Sequence, residues 1–527
     1  MSSRREFLQY LGIAAAALSL SRCAGGQKRR PNIVIIMADD MGYSDLGFFG
    51  SGIETPHING LAANGLTLTQ FYNTGRCCPS RASLLTGLYS HQAGVGDMTS
   101  DRGYPAYSGF LNRSCVTLAE VLKPAGYAAY LSGKWHVGSR KEHWPLRRGF
   151  DRFFGFPRGG GIYFHPFRPG RSAVLEDEAV EVDPETFYST DAINDYAVQF
   201  IDEHEVSSGP FFLYVAHIAP HFPLQAWDRD VQAYRGRYKA GFQAIRASRY
   251  QSMVDRGLLP PGVALSDSDD EVLDWDSLSE AEKEEYDLRM SVYAAQITIM
   301  DRGIGRILDK LKEKGLFEDT LVLFLSDNGA THEDPTGWLD SEAPIGQPCC
   351  QEAYSRSWAN VSNTPFRMYK HWVHEGGIST PCIIHYPRWI KRKRISRDTA
   401  HLIDIMSTCV HVAGAEYPAH FNGEPIQPME GRSLVPLIKG GHLEDDRALF
   451  WEHEGNCAVR KGGWKLVRKH HGDRWELYRI AQDRSEINDL SARYPEIVRE
   501  LEQLYHAWAR RVGVIDRDVL IHGPGAR

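Results

Sequence analysis

No strong excess of either charge marks this 527-residue sequence. Its net charge of −7 gives no electrostatic case for nucleic acid as a partner. Cysteine is scarce for the length. There are nine, an odd number, which excludes a disulfide framework as the thing that holds the fold. Two adjacent pairs stand out, Cys77–Cys78 and Cys349–Cys350, but no second pair at metal spacing accompanies either, so both read poorly as zinc sites. Cys115, Cys382, Cys409 and Cys457 read as small buried apolar residues. There is no internal repeat and no long low-complexity tract. The apolar run Leu11 to Leu20 is too short for a comfortable membrane span.

What is present begins with a targeting segment. Arg4-Arg5 before that short apolar run resembles a twin-arginine export signal. Cys23 follows Leu20-Ser21-Arg22, loosely like a lipoprotein box, with Arg22 where a small residue is expected. The expectation is that residues 1–30 direct export. The mature chain then works in the periplasm or at the cell surface, with Cys23 as a candidate lipid anchor.

From Asn32 onward the sequence alternates. Ile33-Val34-Ile35-Ile36-Met37, Phe211 to Val215 and Thr320 to Leu325 are short apolar runs without polar alternation. Such runs read as strands buried on both faces of a parallel sheet. Helical stretches separate them. The longest runs from a capping box at Ser279 and Glu282 towards Lys314, with Gly315 as its stop. This alternation predicts an α/β fold: a large, mixed, mostly parallel sheet with helices on both faces. The stretch from Ala226 to Asp276 is polar, holds Pro260-Pro261 and reads as an insertion over the surface. Asp334 to Val361 is similar and is expected at the mouth of a site. Beyond residue 440, short alternating strands and a helix from Pro495 to Trp508 predict a smaller C-terminal α+β subdomain with an antiparallel sheet. The expected division is 1–30, 31–440 and 441–527.

Ligands of open α/β sheets sit beyond the carboxyl ends of the strands. Polar residues collect there: Asp39-Asp40, Lys134 and His136, His217 and His221, and Asp327-Asn328-Gly329. Three aspartates and an amide are oxygen ligands suited to Ca²⁺ or Mg²⁺. Singly, each also reads as a turn or cap residue. Lys134 and His136, two apart, share a face if their segment is extended. In Cys77-Cys78-Pro79-Ser80-Arg81-Ala82-Ser83-Leu84-Leu85-Thr86-Gly87, the cysteines sit near a helix start, which favours anions and a lowered thiol pKa. From the residues alone, either cysteine is a nucleophile candidate or part of a buried loop pair.

That segment resembles the signature of the sulfatase family, C-x-P-S-R-x-x-x-L-T-G, at every specified position. The resemblance covers nearly the whole mature chain. It takes in Pro31 to Tyr43, Thr55-Pro56-His57-Ile58 (with His57 where the family has Asn), Gly133 to Gly138 and Ala219 to Leu224. It continues through Ser326 to Gly329, Asn363 to Gly377, and the Trp451 to Gly455 region as in bacterial arylsulfatases. The resemblance implies an alkaline-phosphatase-like fold and hydrolysis of sulfate monoesters. It implies that Cys77 is oxidised to formylglycine by a maturing enzyme and that Ca²⁺ is held by Asp39, Asp40, Asp327, Asn328 and modified Cys77. Arg81 would steady the formylglycine, Lys134 and Lys370 would bind sulfate oxygens, and His136 and His221 would move protons. The implied substrate is an aryl sulfate in vitro and a sulfated carbohydrate physiologically. A phosphate or phosphonate ester hydrolase of the same superfamily, or an inactive glycan-binding homologue, are the alternatives. Tyr163, Phe164, His165, Phe167 and Arg168 suit a sugar or aryl ring, or the packing of their own loop.

Overall fold

The computed structural model describes residues 30–160, 162–165, 172–335, 343–472 and 474–522. The export segment, Cys23, and the candidate substrate residues Phe167 and Arg168 lie outside them.

The apolar runs form the strands they predict. An eleven-stranded sheet is built from β1 (Asn32–Asp39), β2 (Leu66–Tyr72), β3 (Ala128–Lys134), β4 (Arg152–Phe156), β5 (Val174–Leu175) and β6 (Glu178–Ala179). It is completed by β7 (Phe211–Pro220), β8 (Thr320–Ser326), β9 (Ser379–His385), β10 (Arg394–Ser396) and β11 (Ala400–His401). Its order is β10-β2-β9-β8-β1-β7-β3-β4-β5-β6, with β11 also on β2. β1 is central, fully buried, and parallel to both β7 and β8. β9 runs antiparallel to its neighbours β8 and β2, which makes the sheet mixed. Along β1 the side chains divide by turns. Val34, Ile36 and Ala38 join one core, while Ile33, Ile35 and Met37 join the other. A strand whose successive side chains point to opposite faces needs an apolar layer on each, so Ile33 to Ala38 are all apolar. Helices 189–203 and 280–313 cover the first face; helices 77–86, 118–122 and 404–413 cover the second.

The helix at Glu280–Glu313 is as predicted, with Ser279 and Glu282 closing a reciprocal capping box. The stretch 226–276 is a correction. It is no polar overlay, because it contains the helix Phe242–Asp255, whose Arg246 and Arg249 are buried. Phe242 and Trp275 pack edge-on against Trp358. Arg249 donates to Asp45 at 2.7 Å and Arg246 to the Ser266 carbonyl at 2.6 Å, so charge that reads as surface is satisfied inside.

At the C-terminal end, Ala448–His453, Asn456–Lys461, Trp464–Arg468 and Glu476–Arg479 form a four-stranded antiparallel sheet, and the helix Pro495–Val512 packs on it. Its core is shared with Tyr72, Tyr89, Val373, Ile378 and Ile403 of the large sheet's half. A buried ionic clasp adds to that seam. Lys465 Nζ lies 3.0 Å from Glu375 and 2.8 Å from Glu486, and Arg484 donates to Glu375 at 3.1 Å.

Candidate active site

Strand register puts the site together. Ala38 pairs with Ser326 and Asp39 with Pro220, while Gly133 pairs with Ala216. The residues that leave β1, β8, β7 and β3 at their carboxyl ends therefore emerge at one edge: Asp39-Asp40, Asp327-Asn328, His221 and Lys134. β2 ends at that same edge and delivers the helix Cys77–Thr86, every residue of which is buried. Gly329 has no room for a Cβ, which would lie 1.8 Å from the Gly376 carbonyl oxygen. That close approach lets the Gly329 amide donate to Gly377 at 2.9 Å and the Lys370 amide to Ala330 at 3.0 Å, which brings Lys370 to the aspartates.

The geometry is a lattice of buried opposite charges. Lys134 donates to Asp39 Oδ2 at 2.5 Å, and Arg81 donates to Asp327 Oδ2 at 2.8 Å. Lys370 donates to Asp40 Oδ2 at 2.9 Å and lies 3.5 Å from His221 Nε2. The Asn328 amide donates to Asp40 Oδ1 at 2.7 Å. Cys77 Sγ is 3.6 Å from His136 Nδ1. All ten of the residues predicted for catalysis and metal binding are thus at one place.

Two sequence expectations are corrected. Lys134 and His136 do converge, but not as neighbours on an extended strand: β3 ends at Lys134, and His136 has φ +57. The left-handed turn swings its imidazole over to Cys77. His217 does not belong with His221 at the strand end. It lies within β7, fully buried, with neither ring nitrogen hydrogen-bonded among the described residues.

The charges set the protonation states. A hydrogen bond from Cys78, aided by Lys134 and His136, holds the Cys77 thiol well below its usual value against the effect of burial. Burial pushes the His136 imidazole down to about 4 and that of His221 down as well, so both rest neutral near pH 7. Burial, then Asp39, pushes Asp327 up; for Asp39 itself burial also raises the pKa, but its neighbours, Lys134 foremost, outweigh that and hold it low.

A hard cation fits the donor set. Asp39 Oδ1 and Asn328 Oδ1 are buried acceptors that no donor reaches among the described residues, and ligand atoms of Asp39, Asp40 and His221 lie within 4.8 Å of one another. Buried acceptors are rarely left so, and several anionic oxygens in one place suit Ca²⁺.

Sequence reading missed the next ring of residues. Glu333 accepts from Lys370 at 2.6 Å and from Arg76 at 3.2 Å, and lies 3.2 Å from His371. His371 in turn contacts Glu454, in the turn between the first two strands of the C-terminal sheet, at 2.5 Å. Their only signal is proximity: Arg76 precedes Cys77, and Glu333 follows the Asp327-Asn328-Gly329 element by a few residues.

A model of the family described as "Sulfatase" matches residues 31–415, and one described as "N-sulphoglucosamine sulphohydrolase, C-terminal" matches 366–510. An uncharacterized sulfatase of Schizosaccharomyces pombe is 34% identical over 93% of this chain and 95% of its own length. An arylsulfatase of Klebsiella aerogenes is 33% identical over 80% of this chain and 96% of its own. Among solved structures, Ps i-CgsB in complex with k-i-k-neocarrahexaose superposes with a TM-score of 0.67 at 26% identity, covering 91% of this chain and 93% of that one.

Proposed function

We propose, from the premise that this chain belongs to the sulfatase family and is a sulfuric ester hydrolase, that it uses formylglycine at position 77 and Ca²⁺ to cleave sulfate monoesters of carbohydrates, aryl sulfates serving in vitro. The observation that carries this reading is the convergence of Cys77, three aspartates, Asn328, two lysines and two histidines at one sheet edge.

A sulfate monoester resists attack because its anionic oxygens repel a nucleophile. Lys134 and Lys370, buried and within reach of that edge, offset the charge and favour its growth in the transition state. Bound Ca²⁺, held by Asp39, Asp40, Asp327 and Asn328, would supply further charge neutralisation there. Formylglycine, as its hydrate, would supply two hydroxyls on one carbon, one to accept the sulfuryl group and one to release it. Arg81, fixed on Asp327, would steady position 77. His136 Nδ1, neutral and beside Cys77, is placed to take a proton from that residue. His221 Nε2, on the Lys370 side, is placed to give one to the leaving alcohol. Burial lowers its pKa, but an anionic sulfate next to it favours the protonated imidazolium.

The carbohydrate preference is supported by the crystallised relative, which holds a neocarrahexaose. The twin-arginine-like leader supports a location outside the cytoplasm, and fractionation that found the intact chain in the cytosol would overturn that part. The central test pairs peptide mass across Cys77 with sulfate release, on chain made beside a maturing enzyme. Loss of the thiol sulfur from Cys77, together with calcium-dependent sulfate release, is the expected result. Verified modification with turnover of phosphate esters alone, or with no turnover, would overturn the reading.

A further inference from the structure

The sequence argues against metal binding at Cys77–Cys78 because no second pair accompanies them. The fold supplies a third ligand from elsewhere. Cys77 Sγ, Cys78 Sγ and His136 Nδ1 lie within 4.8 Å of one another, and all three residues are buried. The Cys77 Sγ to His136 Nδ1 separation is 3.6 Å. In a tetrahedral site with a metal–sulfur bond of about 2.3 Å and a metal–nitrogen bond of about 2.1 Å, sulfur and nitrogen stand about 3.6 Å apart. The spacing is that of two ligands on one zinc-like ion.

We propose that the chain with Cys77 unmodified binds one soft divalent cation, Zn²⁺ or a chemical equivalent, through Cys77, Cys78 and His136. Two thiolates and an imidazole select a soft or borderline metal over Ca²⁺, which takes oxygen ligands from the aspartates beside them. Binding releases the two thiol protons and leaves the Cys₂His site with no net charge from metal and thiolates. Lys134 and Arg81 stand close by, Lys134 on Asp39 and Arg81 on Asp327, and the two thiolates offset the charge that the ion adds. Oxidation of Cys77 removes one thiolate and with it the site. Metal occupancy and maturation of Cys77 therefore exclude each other, and this last consequence rests on the function proposed above; the binding itself does not.

The test uses full-length chain made without a maturing enzyme, its intact Cys77 verified by peptide mass, stripped with chelator and then saturated with Ca²⁺. Titration with Cd²⁺ is followed by the ultraviolet thiolate-to-metal charge-transfer band, with Zn²⁺ as competitor, on a background with Cys23→Ser and Cys349→Ser, Cys349 being the exposed cysteine among the described residues. One Cd²⁺ per chain, displaced by Zn²⁺, is expected, with affinity lowered at least tenfold in both Cys78→Ser and His136→Gln. Zn²⁺ is also expected to raise the melting temperature of the parent and not of Cys78→Ser, a readout that requires the variant to be folded. Absence of the band, or unchanged affinity in both variants, overturns the proposal. Activity of separately matured enzyme tests the function proposed above and is unaffected by either result.

Discussion

Lys134 contacts Asp39 and His221 lies beside Asp40 and Lys370, and their loss should separate cleanly. Lys134→Ala is expected to abolish turnover, by at least about 10²-fold in kcat, in a protein that still folds. Unchanged melting with lost sulfate release checks this; near-normal activity in the purified variant would contradict the assignment. For His221→Ala the expected signature is selective. Aryl sulfates with acidic phenols need little help in departing, whereas alkyl or sugar sulfates need the proton. Loss of about 10²–10⁴-fold is expected for poor leaving groups, and a much smaller loss for good ones. A series of phenols of graded acidity measures it, and a slope identical to that of the parent enzyme would remove His221 from the acid role. At this scale the sequence was legible where residue types sit at strand ends. It was silent on Glu333 and Arg76, which are single charged residues among many until distant segments meet around Lys370. It also misjudged how His136 arrives, because a positive φ at a non-glycine residue leaves no mark in the composition.

Among the elements, the clasp between the small sheet and the segment that carries Lys370 has the clearest consequence. Glu375 is fully buried. Burial raises its carboxyl pKa, but Lys465, Arg484 and Arg460 outweigh that and hold it at about 2, below the ordinary glutamate value of 4.5. A carboxylate whose folded pKa is depressed contributes stability that is full above its unfolded value and is lost as pH falls through the folded one. Stability is therefore expected to drop as pH is lowered below about 4.5, and Glu375→Gln to flatten that dependence while lowering stability at neutral pH by about 3–5 kcal/mol, since Lys465 and Arg484 lose a buried partner. Denaturant melts across pH 3–7 give the answer, and parallel curves for parent and variant would reject it. Strands and the long capped helix were readable because apolar runs and capping chemistry are local. The helix Phe242–Asp255 was not, because its buried arginines are paid no attention by a hydrophobic pattern and find their partners only in the tertiary fold.

For the whole molecule, the shared core matters most. Trp451 of the small sheet donates to the Asn73 carbonyl at 2.7 Å, and Tyr72 donates to Glu375 at 2.9 Å. The small sheet thus rests on the stretch that leads from β2 into the helix at Cys77. A chain ending at residue 440 would expose Tyr72, Tyr89, Val373, Ile378 and Ile403 and leave Glu375 without Lys465 and Arg484. It is expected to be insoluble or unfolded, as judged by expression and circular dichroism; a soluble, cooperatively melting 31–440 fragment would show that the large sheet stands alone. The three-layer architecture was legible from strand–helix alternation. This dependence was not, since the change of pattern near residue 440 marks a new sheet without showing that two sheets have one core between them.

The burial of the helix that begins at Cys77 sets an order of events. Another protein's active site cannot close around ten successive residues that are all buried. The proposed oxidation of Cys77 therefore has a deadline: it has to be finished while that stretch is still an open strand of polypeptide, and a chain that folds first keeps its thiol.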